Sequence, residues 1–288
     1  MALLARSGVH NDGVSIEYSG TGDPARSMEL LWGVQDKPRR GPKPKLTVAR
    51  ITAAAVAIAD AEGLDVLTMR KVGDALGVTA MSLYNYVPGK GELLDLMLDS
   101  VYAELATGDD ERVAVGAEPA PGGAGTAPGA AGDWRTRLER VARDNRALYL
   151  RHPWLLRVAS SRPVLGPHTI AKYERELGAV DGLGLTDIEM DLLVQLVNDY
   201  VHGAVRGAVE DAQALGSTGI TDQEWWEANG PLLERVFDAE RFPLAARVGS
   251  ASGEEYQAAH DPSRAFEFGL RVLLDGVAAT LPGTPGPR

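Results

Sequence analysis

The stretch that decides the fold runs Thr68-Met-Arg-Lys-Val-Gly-Asp-Ala-Leu-Gly-Val-Thr-Ala-Met-Ser-Leu-Tyr-Asn-Tyr-Val87. Two short helices that cross at a steep angle constrain individual positions. Counting from Met69, the fifth residue must be small where the helices touch, and Gly73 is. The ninth must accept a left-handed turn, and Gly77 does so without steric cost. The fourth, eighth, tenth and fifteenth should be apolar and buried; they are Val72, Leu76, Val78 and Leu83. Thr68 and Thr79 stand where helix amides need a capping oxygen. Met69–Leu76 and a second helix from Thr79 to about Tyr86 therefore form a helix-turn-helix. A plain helical hairpin inside a core is the alternative, and it has no need of so many coincident constraints.

Outward from this motif the helical signals continue. Upstream, Val48, Ile51, Ala55 and Ile58 recur at three- and four-residue steps behind Thr47, and Gly63 ends that helix. Downstream, Pro88-Gly89 precedes a helix from Lys90 to Leu105 with Leu93, Leu94, Met97, Leu98 and Val101 on its apolar face. Residues 1–46, rich in Gly, Ser, Pro and Asp, read as largely unstructured apart from an apolar patch at Met28–Trp32. Residues 107–132 are nearly all Gly, Ala, Pro, Asp and Glu, a composition that cannot bury enough surface to offset its ordering entropy.

Beyond that loop, Asp133–Arg151 is amphipathic, with Trp134, Leu138, Val141, Asn145, Leu148 and Tyr149 near one face. Short helices begin at Pro153 and Pro167, Thr186 and Thr221 open capping boxes, and Asp261-Pro262 caps a last helix ending before Pro282. No alternating strand of useful length is present. The fold class is all-α: a three-helix helix-turn-helix domain at 44–104 and a helical bundle at 133–288. A flexible extension (1–43) and a Gly/Ala/Pro-rich loop (105–132) flank the first.

Composition narrows the functional classes. The chain has 288 residues, 44% hydrophobic and 24% charged, as in ordinary globular proteins. The longest apolar run, Ala53–Ala59, is far short of the ~18–20 residues that cross a bilayer, and no membrane partner is expected. The opening residues meet His10, Asn11 and Asp12 too soon for a signal peptide, so a cytoplasmic location is expected. With no Cys there is no disulfide, thiol nucleophile or thiolate metal site. The five His lack metal-ligand spacing, and no Ser/His/Asp constellation can be placed. The expectation is no enzyme, no metal and no cofactor.

The net charge of −11 would argue against a polyanion partner if it were uniform. It is not: residues 1–36 sum to −3, residues 37–100 to +2 and residues 101–288 to −10. Lys37, Arg39, Arg40, Lys43, Lys45 and Arg50 crowd the front of the helix-turn-helix. Prolines keep Pro38–Lys45 from folding into helix, which suits a minor-groove arm carried by Arg39, Arg40, Lys43 and Lys45. A basic solvated linker is the plainer alternative.

Leu46–Val101 resembles the DNA-binding domain of the TetR family of transcriptional regulators. Thr47 to Ile58 with Glu62-Gly63, Thr68-Met-Arg-Lys-Val72, Leu76-Gly77-Val78, Leu83-Tyr-Asn-Tyr-Val87, Lys90 and Glu92-Leu-Leu94 carry the resemblance. The body matches more weakly, through His152-Pro-Trp-Leu155 and Phe266-Glu-Phe-Gly269 with Leu274-Asp-Gly276. The resemblance implies a homodimer on a palindromic duplex, with a recognition helix in each of two major grooves and a small-molecule inducer bound in the body. A repressor released by that inducer is the expected function. A helical module whose helix-turn-helix docks a protein is the alternative.

Residue roles follow. The recognition helix would present Thr79, Ala80, Met81, Ser82, Tyr84, Asn85 and Tyr86; lacking Arg and Lys, it cannot make bidentate guanine contacts. Lys90 resembles the family's phosphate-binding Lys, with Thr68, Arg70 and Lys71 as flanking phosphate contacts. In the body, polar-tipped side chains suited to line a cavity are Tyr149, Trp154, His168, Tyr173, Asn198, His202, Trp225 and Trp226. Small residues at Gly203, Ala204, Gly207, Gly269 and Gly276, with Leu273 beside them, form ridges that the resemblance places at the dimer interface.

Overall fold

The computed structural model describes residues 17–34, 46–106, 134–159, 162–256, 258 and 260–282. The basic arm Arg39, Arg40, Lys43 and Lys45 lies outside these residues, as does nearly all of the 105–132 loop. Described residues form eleven α-helices, two short 3-10 turns and one pair of two-residue strands, so the all-α reading holds with one small addition. They divide into two compact units, one drawn from Met1–Pro119 and Arg151–Glu174, the other from Ala120–Leu150 and Arg175–Arg288.

The first unit is built around the helix-turn-helix. Helices α2 (Val48–Glu62), α3 (Met69–Leu76) and α4 (Ala80–Tyr84) each start behind a threonine, Thr47, Thr68 and Thr79, whose hydroxyl accepts the amide three residues on. Gly77 ends α3 in the left-handed region at φ 68°, as the motif requires. Gly73 is where the helices touch: a Cβ there would lie 2.9 Å from the Val78 carbonyl and 3.2 Å from the Ala80 amide. Val72 and Leu83 are fully buried, whereas Leu76 and Val78 are only half-buried, at the rim of the crossing. Helix α4 is shorter than its sequence suggests; Asn85 caps it, and the Tyr86 amide tightens onto the Leu83 carbonyl. Helix α5 (Lys90–Tyr102) completes the core through Leu93, Leu94 and Met97.

Two segments join this unit against the sequence expectation. Residues 17–34, read from composition as part of a flexible extension, form β1 (Glu17–Tyr18) and α1 (Pro24–Leu31). The reason lies in tertiary pairing. Glu92 and Asp95 of α5, both buried, need donors, and the extension supplies them. Gly20 N and Ser27 Oγ donate to Asp95 at 2.8 and 2.9 Å, and Asp23 N donates to Glu92 at 2.9 Å. The Trp32 indole N–H reaches the Leu165 carbonyl at 2.9 Å.

The second segment, Arg151–Glu174, lies in the sequence with the body yet packs here. His152 bridges Asp60 of α2 (2.7 Å) and Glu104 (3.0 Å), and Trp154 Nε1 donates to the same Asp60 oxygen at 2.7 Å. Arg157 pairs with Asp65 at 2.8 Å. Strand β2 (Val158–Ala159) lies parallel to β1. Asp99 of α5 accepts the amides of His168 and Thr169, capping the start of α7 (Pro167–Val180).

In the second unit, α8 (Asp187–Thr218) turns Val194, Val197, Val201 and Val205 inward at three- and four-residue steps. They face Phe266, Leu270, Leu274 and Val277 of α11 (Pro262–Thr280), buried at the same spacing. Tyr200 seals this seam, its hydroxyl donating to the Phe266 carbonyl; burial pushes its pKa above the ordinary phenol value. Helix α6 (Trp134–Arg151) buries Leu138, Val141, Ala142 and Leu148. Glu267 of α11 accepts the Arg143 guanidinium at 3.0 Å, which holds its carboxyl below the usual range. Helices α9 (Asp222–Val236) and α10 (Pro243–Tyr256) complete the unit. No helix among the described residues is long and apolar enough to cross a membrane.

Candidate functional site

The recognition helix presents a narrow exposed face. Met81 is 74% exposed and Tyr84 45%, and Asn85 is exposed beside them, so residues at steps of three and four share one side. The other expected readers are placed differently. The Thr79 hydroxyl is held by the Ser82 amide at 3.3 Å and lies 3.0 Å from the Ser82 hydroxyl, so these two serve the cap first. Ala80 and Tyr86 are half-buried. The chemistry exposed on this face therefore comes down to one amide, one phenol and one thioether, with Thr79 at the leading edge.

The cations expected at phosphates each have an acidic neighbour. Arg70, the most solvated, lies 3.9 Å from Asp74. Lys71 pairs with Glu62 and Lys90 with Glu17, both at 2.5 Å. Thr68 caps α3 by accepting the Lys71 amide at 3.1 Å. Glu62 lies inside the recognisable motif, but nothing in the sequence around Glu17 singles it out.

The eight candidate pocket residues are divided between the two units. Trp154, His168 and Tyr173 belong to the first unit. Trp154 is corrected from a lining residue to a structural one, because its polar tip is taken by Asp60. Tyr149 of α6 and His202 of α8 meet edge-to-face at 5.6 Å in the second unit. One turn away, Asn198 joins a cluster that includes two residues outside the expected set, Asn145 and Glu176. Asn145 Nδ2 donates to Glu176 at 2.8 Å and to Asn198 at 2.9 Å, and Asn198 Nδ2 donates to Glu176 at 3.1 Å. An Asn on the otherwise apolar face of α6 was the available signal for this cluster. Trp225 and Trp226 pack against each other at 5.0 Å on α9, with Trp225 exposed.

The small-residue ridges separate into two kinds. A methyl group at Gly203 or Gly207 of α8, or at Gly276 of α11, would meet no atom within 4 Å. Ala204 and Leu273 beside them are half-buried. Gly269 is corrected to internal packing, since a Cβ there would lie 2.6 Å from the Tyr200 hydroxyl. Phe268 and Val272, 61% and 52% exposed, flank the open part of α11.

Residues 51–97 match the family described as "Bacterial regulatory proteins, tetR family", and residues 127–281 match "Tetracyclin repressor-like, C-terminal domain". The chain is 45% identical over 263 residues to the HTH-type transcriptional repressor DrrR1 of Streptomyces coeruleorubidus, covering 91% of this chain and 88% of that one. An HTH-type transcriptional regulator of Saccharopolyspora erythraea is 31% identical over 254 residues, covering 87% and 92%. Among solved structures, the Streptomyces coelicolor TetR family protein ActR in complex with actinorhodin superposes with a TM-score of 0.61. It is 27% identical and covers 84% of this chain and 99% of that one. A protein-docking helix-turn-helix is not favoured by these relatives. With its helix-turn-helix, its exposed recognition face and these relatives together, the chain belongs to the TetR family of bacterial transcriptional regulators.

Proposed function

We propose that this regulator is a repressor that binds a palindromic operator as a homodimer and leaves it when a small molecule occupies the helical body. The observation that carries the reading is the exposed Met81–Tyr84–Asn85 face of α4, with Arg70 and Lys71 on the helix before it and Lys90 at the start of the helix after it. Phosphate contacts from these cations fix position, and the face reads base edges. The repressor relative supports the sign of regulation, and the actinorhodin complex of ActR supports an effector in the body. Dimerisation is supported by the open surface at Gly203, Gly207 and Gly276 beside Phe268 and Val272. The second unit's Asn145–Glu176–Asn198 cluster, next to Tyr149 and His202, offers the polar groups such an effector would meet.

The test separates positioning from reading. Lys90→Ala weakens binding to operator and scrambled duplex alike and lowers the slope of log affinity against log salt by about 0.9. Asn85→Ala changes the ranking of operator variants and leaves the slope alone. Loss of base preference in Lys90→Ala with an unchanged slope refutes the assignment.

A further inference from the structure

Lys90 holds the key phosphate position in this reading, yet in the structure its ammonium is already bonded to a carboxylate. Lys90 Nζ donates to Glu17 Oε1 at 2.5 Å, with the two side chains only 34% and 25% exposed. Glu17 is no loose tail. It sits in β1, paired in parallel with β2, three residues before Gly20, whose amide is anchored on buried Asp95. The chain then crosses the first turn of α5 in close contact. A Cβ on Gly91 would lie 2.7 Å from Thr21 Oγ1 and 2.8 Å from the Gly22 amide nitrogen. Asp23 N and Ser27 Oγ fix the next turn on Glu92 and Asp95. Four tethers thus hold one carboxylate against the one cation that stands at the head of α5.

We infer that Glu17 is a built-in competitor of DNA phosphate for Lys90, so that the N-terminal segment lowers operator affinity from within the same chain. An ammonium in contact with a carboxylate is largely neutralised toward a second anion, and phosphate must displace Glu17 to use it. The inference rests on the phosphate role given to Lys90 above. Glu17 itself touches no DNA; it acts through Lys90. The contact is partly exposed, so its worth is that of a surface ion pair, and it is weakened by salt.

The experiment is a double-mutant cycle on the full chain, read by fluorescence anisotropy with operator duplex at several salt concentrations. Glu17→Gln tightens binding about two- to fivefold at low salt, the range a partly exposed ion pair supports, and the gain fades as salt rises. Glu17→Asp, which keeps the charge, stays near wild type. In the Lys90→Ala background, Glu17→Gln changes nothing. A purely structural Glu17 would give the opposite sign, with a lower melting temperature and weaker binding. Unchanged or weakened binding in Glu17→Gln, or an equal gain without Lys90, overturns the inference while leaving the phosphate role intact. Undiminished binding in Lys90→Ala overturns both.

Discussion

Replacing Gly73 by alanine is a sharp perturbation of the helix-turn-helix, because two effects of known size oppose each other there. Alanine in a helix interior is favoured over glycine by about 0.8–1.0 kcal/mol. Against this, the new methyl would lie 2.9 Å from the Val78 carbonyl and 3.2 Å from the Ala80 amide. Both are backbone atoms of the turn that enters α4, so neither can rotate aside. Restoring ordinary contact requires a shift of about 0.5 Å at Val78, and overpacking of this kind costs ~1–3 kcal/mol. The net effect is a destabilisation of roughly 0–2 kcal/mol. The larger consequence is for function, since the displaced atoms carry the recognition helix. Losing one well-placed base contact costs about 1–3 kcal/mol, so operator affinity should fall about five- to 150-fold. Binding to scrambled duplex, which depends on phosphates, should change little. Gly178→Ala provides the control, because a Cβ at that helical glycine meets nothing within 4 Å. Denaturant unfolding and anisotropy on both duplexes measure the two effects. If Gly73→Ala gains about 1 kcal/mol like the control and binds operator as wild type does, the crossing is looser than this geometry requires, and the reasoning fails.

Two further outcomes follow from the polar contacts. His152→Gln keeps one hydrogen bond but cannot bridge Asp60 and Glu104, so the first unit should lose about 1–3 kcal/mol in denaturant unfolding; an unchanged midpoint would remove the bridge from its structural role. Glu267, held below the ordinary carboxylate range by Arg143, contributes stability that is present above the unfolded carboxyl pKa and lost as pH falls through the lowered folded value. Glu267→Gln should therefore lower the melting temperature at neutral pH and flatten the acid limb, so that the two profiles converge at low pH; an acid limb as steep in the variant as in the wild type would assign the sensitivity elsewhere.

The helix-turn-helix was legible because its constraints are local: Gly73, Gly77 and three capping threonines each answer to a residue within a few positions. The N-terminal segment was not. What holds Pro24–Leu31 in place is Asp95 and Glu92, about seventy residues away, and a Gly/Ser-rich stretch carries no mark of such acceptors. Polar-tipped aromatics misled for the same reason. Trp154 resembles a pocket lining residue until its indole N–H is found on Asp60. Small residues on α8 and α11 were legible in the sequence, but which of them lie open and which are filled depends on Tyr200, a neighbour that the spacing of Gly269 does not name.

The DNA-binding unit is discontinuous in the chain, and this sets a timetable for its assembly. Asp60, Asp65, Asp99 and Glu104 find partners in residues 151–169. Synthesis at about 5–20 residues per second puts ~3–13 s between Glu104 and Thr169. During that interval a nascent helix-turn-helix carries the acidic residues that later receive His152, Trp154, Arg157 and the start of α7. These contacts therefore close only after the chain has been translated past Thr169, well beyond the helix-turn-helix they brace.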